Sequence, residues 1–115
     1  MNTLKKLKDL FEELYKLEDD LVNSQGLPLQ VARLFIAICN LGTKGISTSD
    51  ANLYLRYNSA TLSRNMNTLS ARPKRSGTGL GLIDTYENPD DRREKLIKLT
   101  TKGIKTRDRM IKIFD

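Results

Sequence analysis

The sequence places four charged side chains together at residues 90–93, where two aspartates are followed by two arginines. They come directly after Asn88-Pro89, a dipeptide that favours a turn, and between two β-forming segments, 82–87 and 95–99. The pattern predicts a β-hairpin with a charged tip. Two adjacent arginines at the end of such a thin arm can reach a partner that the body of the domain does not reach. The alternative interpretation is an ordinary solvated turn, since surface loops are usually polar.

A second group of polar side chains occupies one face of residues 60–70. At 100° per residue, Leu62, Met66 and Leu69 fall on one side of a helix, with Asn65 at its margin. The other side and the residue before it carry small hydroxyls, an amide and one guanidinium: Ser59, Ala60, Thr61, Ser63, Arg64, Asn67 and Thr68. Such groups hydrogen-bond phosphates and base edges. Because 30% of the chain is charged, a merely solvated face should carry glutamates and lysines, so the face favours nucleic-acid contact.

Residues 71–81 are first basic and then rich in glycine. Their basic side chains are Arg72, Lys74 and Arg75, which could lie along a phosphate backbone. The glycines do not form a nucleotide-binding loop, because no strand precedes them and no Gly-Lys-Ser/Thr sequence follows. A plain linker without regular structure is the other interpretation of this segment.

The chain contains no histidine and a single cysteine, Cys39, which lies in the apolar run 34–39. Histidine is the usual general base and the commonest metal ligand. No metal-ligand cluster and no nucleotide-binding motif takes its place, so the sequence predicts neither an enzyme nor a cofactor or metal site. A lone cysteine in an apolar run is typical of a buried, unreactive thiol rather than a redox sensor, and it favours a reducing cytoplasm.

The charge is distributed unevenly along the chain, whose formal net charge is +6. Residues 1–45 contain six basic and six acidic side chains, whereas residues 46–115 contain fourteen basic and eight acidic ones. A basic excess confined to one part points to a polyanionic partner for that part. The N-terminus does not resemble a signal peptide, and no apolar run approaches the roughly 20 residues of a membrane span.

Helical segments on both sides must position these groups. Residues 3–22 repeat leucines and an aromatic residue with a helical period. The stripe includes Leu4, Leu7, Phe11 and Leu14. It is wide enough to cover both its own domain and the same helix of a second subunit, so we expect a dimerisation helix within residues 1–25.

The middle of the chain predicts a core helix and a helix-turn-helix. A helix that begins at Pro28 is apolar almost all round, which is typical of a central core helix. Ile46 is a candidate for a short strand, and Ser47 caps a short helix. Either Asn58 or Ser59 caps the next helix. Two short helices joined by a tight turn form a helix-turn-helix pattern.

A last helix is capped by Thr100 and contributes residues 104–115, which we expect to take part in the dimer interface. The order is therefore helix, core helix, helix-turn-helix, two-stranded hairpin and helix. The predicted fold class is mainly α with a small β-hairpin wing, a winged helix-turn-helix whose DNA-binding domain spans residues 26–103.

The hairpin resembles the wing of the MarR family of winged-helix transcriptional regulators. Residues 91–93, Asp-Arg-Arg, are followed after five residues by Leu-Thr-Thr-Lys-Gly at 99–103, as in the family's wing and the start of its next helix. The opening of the first wing strand at 81–83 fits the family, and so does the segment 59–64 at the start of the polar helix. The resemblance covers residues 28–103.

The resemblance implies a homodimer that binds pseudo-palindromic duplex DNA, with the polar helix in the major groove. Arg93 matches the family's wing arginine and would enter the adjacent minor groove, and Asp91 would orient it through a charge-assisted hydrogen bond. Arg92 is expected to contact a phosphate. A guanidinium on a thin arm also suits the minor groove on physical grounds, because the negative potential is greatest where that groove is narrow.

Two features depart from the family pattern. Residues 72–79 make the connection between the polar helix and the wing several residues longer than usual. The sequence ends at residue 115, before the further helix that completes the family's dimer interface. The expectation is a short variant whose dimer rests on the first helix and on residues 104–115. The family's small-molecule effector has no support in the sequence.

Together these features predict a cytoplasmic, sequence-specific double-stranded DNA-binding transcriptional regulator that acts as a homodimer and a repressor. In a bacterium it would lie on the nucleoid, and in a virus-infected cell it would lie in the host cytoplasm. The alternative is a protein-interaction adaptor that keeps the winged-helix body without reading DNA, since the apolar stripe of the first helix could dock another chain.

Overall fold

The computed structural model describes residues 2–17, 27–41, 44–70, 73–74 and 77–115. The helices are α1 (Thr3–Leu17), α2 (Leu29–Asn40), α3 (Thr48–Leu55), α4 (Ser59–Leu69) and α5 (Thr101–Phe114). The strands are β1 (Ile46–Ser47), β2 (Pro73–Lys74), β3 (Gly77–Thr78), β4 (Ile83–Glu87) and β5 (Lys95–Leu99). The predicted fold class, mainly helical with a small β-hairpin wing, is confirmed.

The wing consists of β4 and β5, and β1 extends it to a three-stranded antiparallel sheet in the order β1-β5-β4. Thr85 pairs with Ile97 and Glu87 pairs with Lys95. Side chains alternate between the two faces of a strand. Because Ile97 is fully buried against the helices, Thr85 and Lys95 must share the face that is directed toward the body of the domain.

The helix α2 is the centre of the hydrophobic core. Its side chains Leu34 and Phe35 are 0% and 1% exposed. Around it pack Leu69 of α4, Ile83 of β4 and Met110 of α5, all of them buried. The helix begins at Leu29, with Pro28 as its N-terminal cap, one residue later than predicted.

The helix α1 packs through one side of its predicted stripe. Leu14 is 5% exposed and belongs to the core of its own domain, so it is not available to a second subunit, contrary to the prediction. Leu4 and Phe11 are 77% and 58% exposed, and Leu7 is also exposed. The predicted continuation of the helix, residues 18–22, lies outside the described residues.

The helix-turn-helix is formed by α3 and α4, and both helices have side-chain caps. The Ser47 hydroxyl accepts a hydrogen bond of 3.1 Å from a backbone N–H in the first turn of α3, as predicted. The Asn58 side chain accepts the N–H of Thr61 at 2.8 Å, which identifies Asn58 as the cap of α4. Arg56 ends α3 in the left-handed conformation, with φ of 57°.

The connection between α4 and the wing contains a small second hairpin, formed by β2 and β3. Pro73 lies opposite Thr78 and Lys74 lies opposite Gly77. Neither interpretation of this segment, a basic loop or a plain linker, included this pairing, because short pairings of this kind leave no periodic pattern in the sequence.

After this second hairpin the chain returns along the C-terminal end of α4. The N–H groups of Leu80 and Leu82 donate to carbonyl oxygens in the last turn of α4, both at 2.8 Å. Gly79 is required here, because a Cβ atom at this position would overlap the carbonyl oxygen of Ser70. The longer connection is thus fixed to the helix that carries the polar face.

At the base of the wing, Thr100 joins the sheet to α5. Its hydroxyl accepts the N–H of Gly103 at 3.0 Å and donates to the carbonyl oxygen of Gly81 at 2.6 Å. The Lys102 ammonium donates to the carbonyl oxygen of Leu80 at 2.8 Å. These contacts hold the wing against the start of α5 and give a structural reason for the Leu-Thr-Thr-Lys-Gly sequence.

Candidate nucleic-acid interface

The polar face of α4 is directed outward as predicted. Leu62 and Leu69 are 3% and 1% exposed and fix the opposite face of the helix against the core. The exposed residues on the outer side are Ser59, Ala60, Ser63, Arg64 and Asn67. Thr61 and Thr68 are half-buried, and the Thr68 hydroxyl donates to the carbonyl oxygen of Arg64 at 3.2 Å. From Ser59 to Leu69 the helix carries one cation and no carboxylate, so its surface does not repel a polyanion.

A polar groove of about 470 Å³ lies between α4 and the wing. The helix contributes Ser59, Ser63 and Asn67 to its walls, and the wing contributes Arg93. Hydroxyl, amide and guanidinium groups are donors and acceptors that can contact phosphates and base edges. The groove therefore brings together residues that were predicted independently from two distant parts of the sequence.

The tip of the wing is organised by two side chains that accept backbone hydrogen bonds two residues along. The Asn88 side-chain oxygen accepts the N–H of Asp90 at 3.0 Å, and the Asp91 carboxylate accepts the N–H of Arg93 at 3.0 Å. The same Asp91 oxygen accepts the Arg93 Nε–H at 3.3 Å. The predicted contact between Asp91 and the wing arginine is therefore present.

This contact orients the arginine without burying it. The Arg93 side chain is 91% exposed and the Asp91 side chain is 35% exposed. An ion pair so accessible to water contributes at most about 1 kcal/mol to stability. Its effect is geometric, because it holds the Nε edge of the guanidinium and leaves the other two nitrogens exposed beside the groove.

The other predicted residues do not all reach the groove. Ala60 and Arg64 lie on the outer face of α4 beyond its walls, and Arg92 is exposed at the wing tip. The backbone of Lys74 lies in β2. Arg72 and Arg75 lie outside the described residues, so their predicted phosphate contacts stay predictions.

The sequence reasoning missed seven polar or charged residues that line the same groove, three from α3, one directly after α4 and three from the wing. They are Thr48, Ser49, Asn52, Ser70, Thr85, Glu94 and Lys95. Strand alternation could have found Thr85 and Lys95, because both share the face of the buried Ile97. For the α3 residues no comparable signal exists, since their position depends on how α3 packs beside α4.

The thiol of Cys39 is half-buried and lies outside this groove. Its burial raises the pKa to about 12, and the positive charge of Arg107 nearby only partly opposes that rise. The prediction of an unreactive thiol agrees with this pKa. In the described part of the chain no group of three or more acidic or cysteine side chains is arranged to hold a metal ion. Within the same ranges no helix combines the length and apolar character needed to cross a membrane.

No family model and no curated protein matches the sequence. Solved structures do match it. The MepR chain of the S. aureus MepR-DNA complex aligns with a TM-score of 0.70 and 21% identity, over 97% of this chain and 78% of that chain. The PcaV transcriptional regulator from Streptomyces coelicolor aligns with a TM-score of 0.59 and 19% identity, over 96% of this chain and 73% of that chain. A mutant MarR from E. coli aligns with a TM-score of 0.60 and 17% identity, over 98% of this chain and 76% of that chain.

These alignments extend over nearly the whole chain, so they include the helix-turn-helix, the wing and both outer helices. Identities near 20% establish a common fold rather than a common site. The protein has the winged-helix fold of the MarR-family regulators.

Proposed function

We propose that this protein is a homodimeric, sequence-specific double-stranded DNA-binding regulator that represses transcription by occupying its site. In this proposal α4 lies in the major groove and Arg93 enters the adjacent minor groove. The observation that carries the proposal is the polar groove in which Ser63 and Asn67 of α4 face Arg93 of the wing.

The dimensions and chemistry of α4 support its place in the major groove. That groove is about 12 Å wide and admits one α-helix. Asn67 and Arg64 are both exposed, and their amide and guanidinium groups match the paired acceptor and donor positions of adenine and guanine. Ser59, Ser63 and Thr61, nearer the start of the helix, suit phosphate and base contacts of shorter reach.

The wing supplies the second contact of this proposal. Arg93 is exposed and is held at one edge by Asp91, so the remaining donors of its guanidinium can enter a narrow minor groove without reorganisation. Arg92 beside it suits a backbone phosphate. Lys74 with Arg72 and Arg75 would extend the phosphate contacts along the duplex. The existence of a DNA complex of MepR, which has the same fold, supports a duplex as the partner.

An exposed apolar surface on the two outer helices supports the homodimer. On α1 the exposed side chains include Leu4, Leu7 and Phe11, and on α5 they are Ile111 and Phe114. The ammonium of Lys6 in α1 donates to the Phe114 carbonyl oxygen at 3.4 Å, so the start of α1 lies beside the end of α5. A surface of this kind is typical of a protein–protein interface.

Selection of bound duplexes from a random pool, followed by sizing of the complex, tests the proposal. We expect a pseudo-palindromic consensus with half-sites about 34 Å apart, bound by two copies of the chain. A pool that shows no enrichment would contradict sequence-specific binding. A monomer with no measurable affinity for duplex DNA would favour the protein-interaction adaptor instead.

A further inference from the structure

A second groove lies on the opposite side of the wing. It has a volume of about 830 Å³ and runs between α3 and the hairpin, and among the described residues that line it none belongs to α4. Ser49 and Glu94 line both grooves and so form the ridge between them. This second groove is therefore separate from the surface proposed to bind DNA.

The second groove is lined by large apolar side chains that are exposed and do not belong to the hydrophobic core. Ala51 and Leu55 are the residues of α3 that are buried in the core. Leu53 and Tyr54, on the outer side of α3, are 81% and 54% exposed, and Leu41 beyond the end of α2 is 40% exposed. Contiguous exposed apolar residues lined by polar ones are typical of interaction sites.

The rim of the same groove is acidic. Asp50 lies at the start of α3, and Asp90 and Glu94 lie on the wing tip, while no lysine or arginine is among the described residues that line the groove. This local charge is opposite to the formal net charge of +6. Carboxylates disfavour a phosphate backbone and favour a cationic partner.

We propose that this second groove docks a basic amphipathic helix from another protein. Apolar residues three and four positions apart on that helix would cover Leu53, Tyr54 and Leu41, and its lysines or arginines would lie against Asp50 and Asp90. Because the groove and the polar face of α4 lie on opposite sides of the ridge, the partner helix would leave that face of α4 uncovered. The surface thus gives a DNA-bound molecule a means to hold a second protein.

A designed peptide tests this directly. The probe is an amphipathic helix of leucines and lysines, about 15 residues long so that it can form a helix. Its matched control has every lysine replaced by glutamate. Titration into the isotopically labelled full chain, without DNA, should give saturable changes in the backbone amide NMR signals of α3 and the wing tip with the lysine peptide only, weakened by added salt.

Three variants locate the binding. Leu53→Ser should weaken the lysine peptide at least about tenfold, because it removes a leucine side chain buried in the complex. Asp90→Asn should weaken it by a smaller, salt-dependent factor. Leu29→Ser, at an exposed leucine of α2 outside the second groove, should leave it unchanged.

Three results would overturn the proposal. They are equal binding of the two peptides, an equal effect of Leu29→Ser and Leu53→Ser, and amide changes confined to α1 and α5. Concentration-dependent self-association of the protein that Leu53→Ser abolishes would also overturn it, because a second copy of this chain would then be the occupant. None of these results depends on whether the protein binds DNA.

Discussion

Arg93 is the wing residue on which the proposed binding of DNA depends most. Its side chain is almost fully exposed, yet one oxygen of Asp91 accepts both its backbone N–H and its Nε–H. Asp91 is itself held within a turn, since its N–H donates to the Asn88 carbonyl oxygen at 3.2 Å. Because the Arg93 side chain is exposed and is held by Asp91, it is suited to contact a partner outside the domain.

Arg93→Ala should weaken duplex binding roughly tenfold to a hundredfold for each subunit of the dimer, because hydrogen bonds to a charged group contribute about 1.5–3 kcal/mol. Fluorescence anisotropy with a selected duplex measures the loss. Asp90→Asn is the matched control, since Asp90 lies on the same tip and its backbone N–H donates to the Asn88 side chain rather than to Arg93. Asp91→Ala should give an intermediate loss, as the arginine is retained but no longer oriented. If the Arg93→Ala protein bound the duplex with wild-type affinity, Arg93 of the wing would not contact the DNA.

Cys39 should react slowly in the folded protein. Since burial raises its pKa from 9.0 to about 12, its thiolate fraction at pH 8 falls roughly a thousandfold. An aromatic disulfide reagent at pH 8 should therefore modify Cys39 much more slowly in buffer than in urea. Equal rates in the two conditions would show that the thiol is accessible and would reopen the redox interpretation.

The raised pKa of Cys39 also determines how its contribution to the free energy of unfolding changes with pH. Near pH 7 the thiol is neutral in both the folded and the unfolded chain, so Cys39 adds no pH dependence there. Above pH 9 the unfolded chain loses the proton first, and the contribution of Cys39 to stability falls as pH rises toward about 12.

At the scale of elements, the start of α5 is the joint that sets the position of the wing. Thr100 caps the helix and bonds to the loop before β4, and a Cβ on Gly103 would overlap the carbonyl oxygen of Leu82. Backbone on both sides of this joint is close-packed, so the angle between wing and body depends on it.

Gly103→Ala should destabilise the fold even though alanine is the better helix former. The gain in helix propensity is about 1 kcal/mol, whereas forcing a methyl group into close-packed backbone costs typically 1–3 kcal/mol. We expect a net loss of about 1 kcal/mol, measured as a lower urea midpoint. Lys105→Ala, at an exposed position of the same helix, should change stability by less than about 0.5 kcal/mol. A more stable Gly103→Ala protein would contradict the described packing.

Most elements were predictable because each carries a local signal. The cap at Ser47, the limits of β5 and the cap at Thr100 follow from residue types at fixed offsets. Leu14 was assigned to the wrong surface because periodicity shows which residues share a stripe and does not show which neighbour covers it. Asn65 was predicted at the margin of the apolar face of α4, yet it is only 9% exposed. Its burial depends on the elements that pack around α4, which the periodicity does not show.

The candidate site was predictable to a smaller extent than the fold. Ser63, Asn67 and Arg93 stood out because their residue types matched a nucleic-acid contact in two separate segments. Thr48, Ser49 and Asn52 did not, because only the packing of α3 beside α4 brings them to the same groove. A groove between elements is a tertiary feature, and local sequence patterns describe only its separate walls.

At the scale of the whole molecule, opposite charges are directed to different surfaces. The polar face of α4 lacks carboxylates, Asp50 and Asp90 lie beyond the ridge, and Glu94 lies on the ridge itself. The net charge of +6 would attract a duplex from a distance, and the uneven distribution would orient it.

Duplex affinity should therefore fall steeply with salt. The logarithm of the binding constant should decrease linearly with the logarithm of salt concentration, with a slope near −0.9 for each phosphate neutralised. Arg92→Ala should reduce the slope by about 2 in a dimer, one phosphate contact from each subunit. Affinity measured at several salt concentrations for both proteins tests this. An unchanged slope would mean that Arg92 contacts no phosphate.

The most direct test of the central claim is a scan of single base-pair substitutions across a selected duplex. The wild-type protein should lose on the order of 1–3 kcal/mol at the base pairs read by α4, and Asn67→Ala should abolish the discrimination at one of these positions while leaving the others intact. Arg93→Ala should instead remove the preference in the flanking segment, where the width of the minor groove is read. Equal affinity of the wild-type protein for every substituted duplex and for a scrambled one would contradict sequence-specific recognition by α4 and the wing.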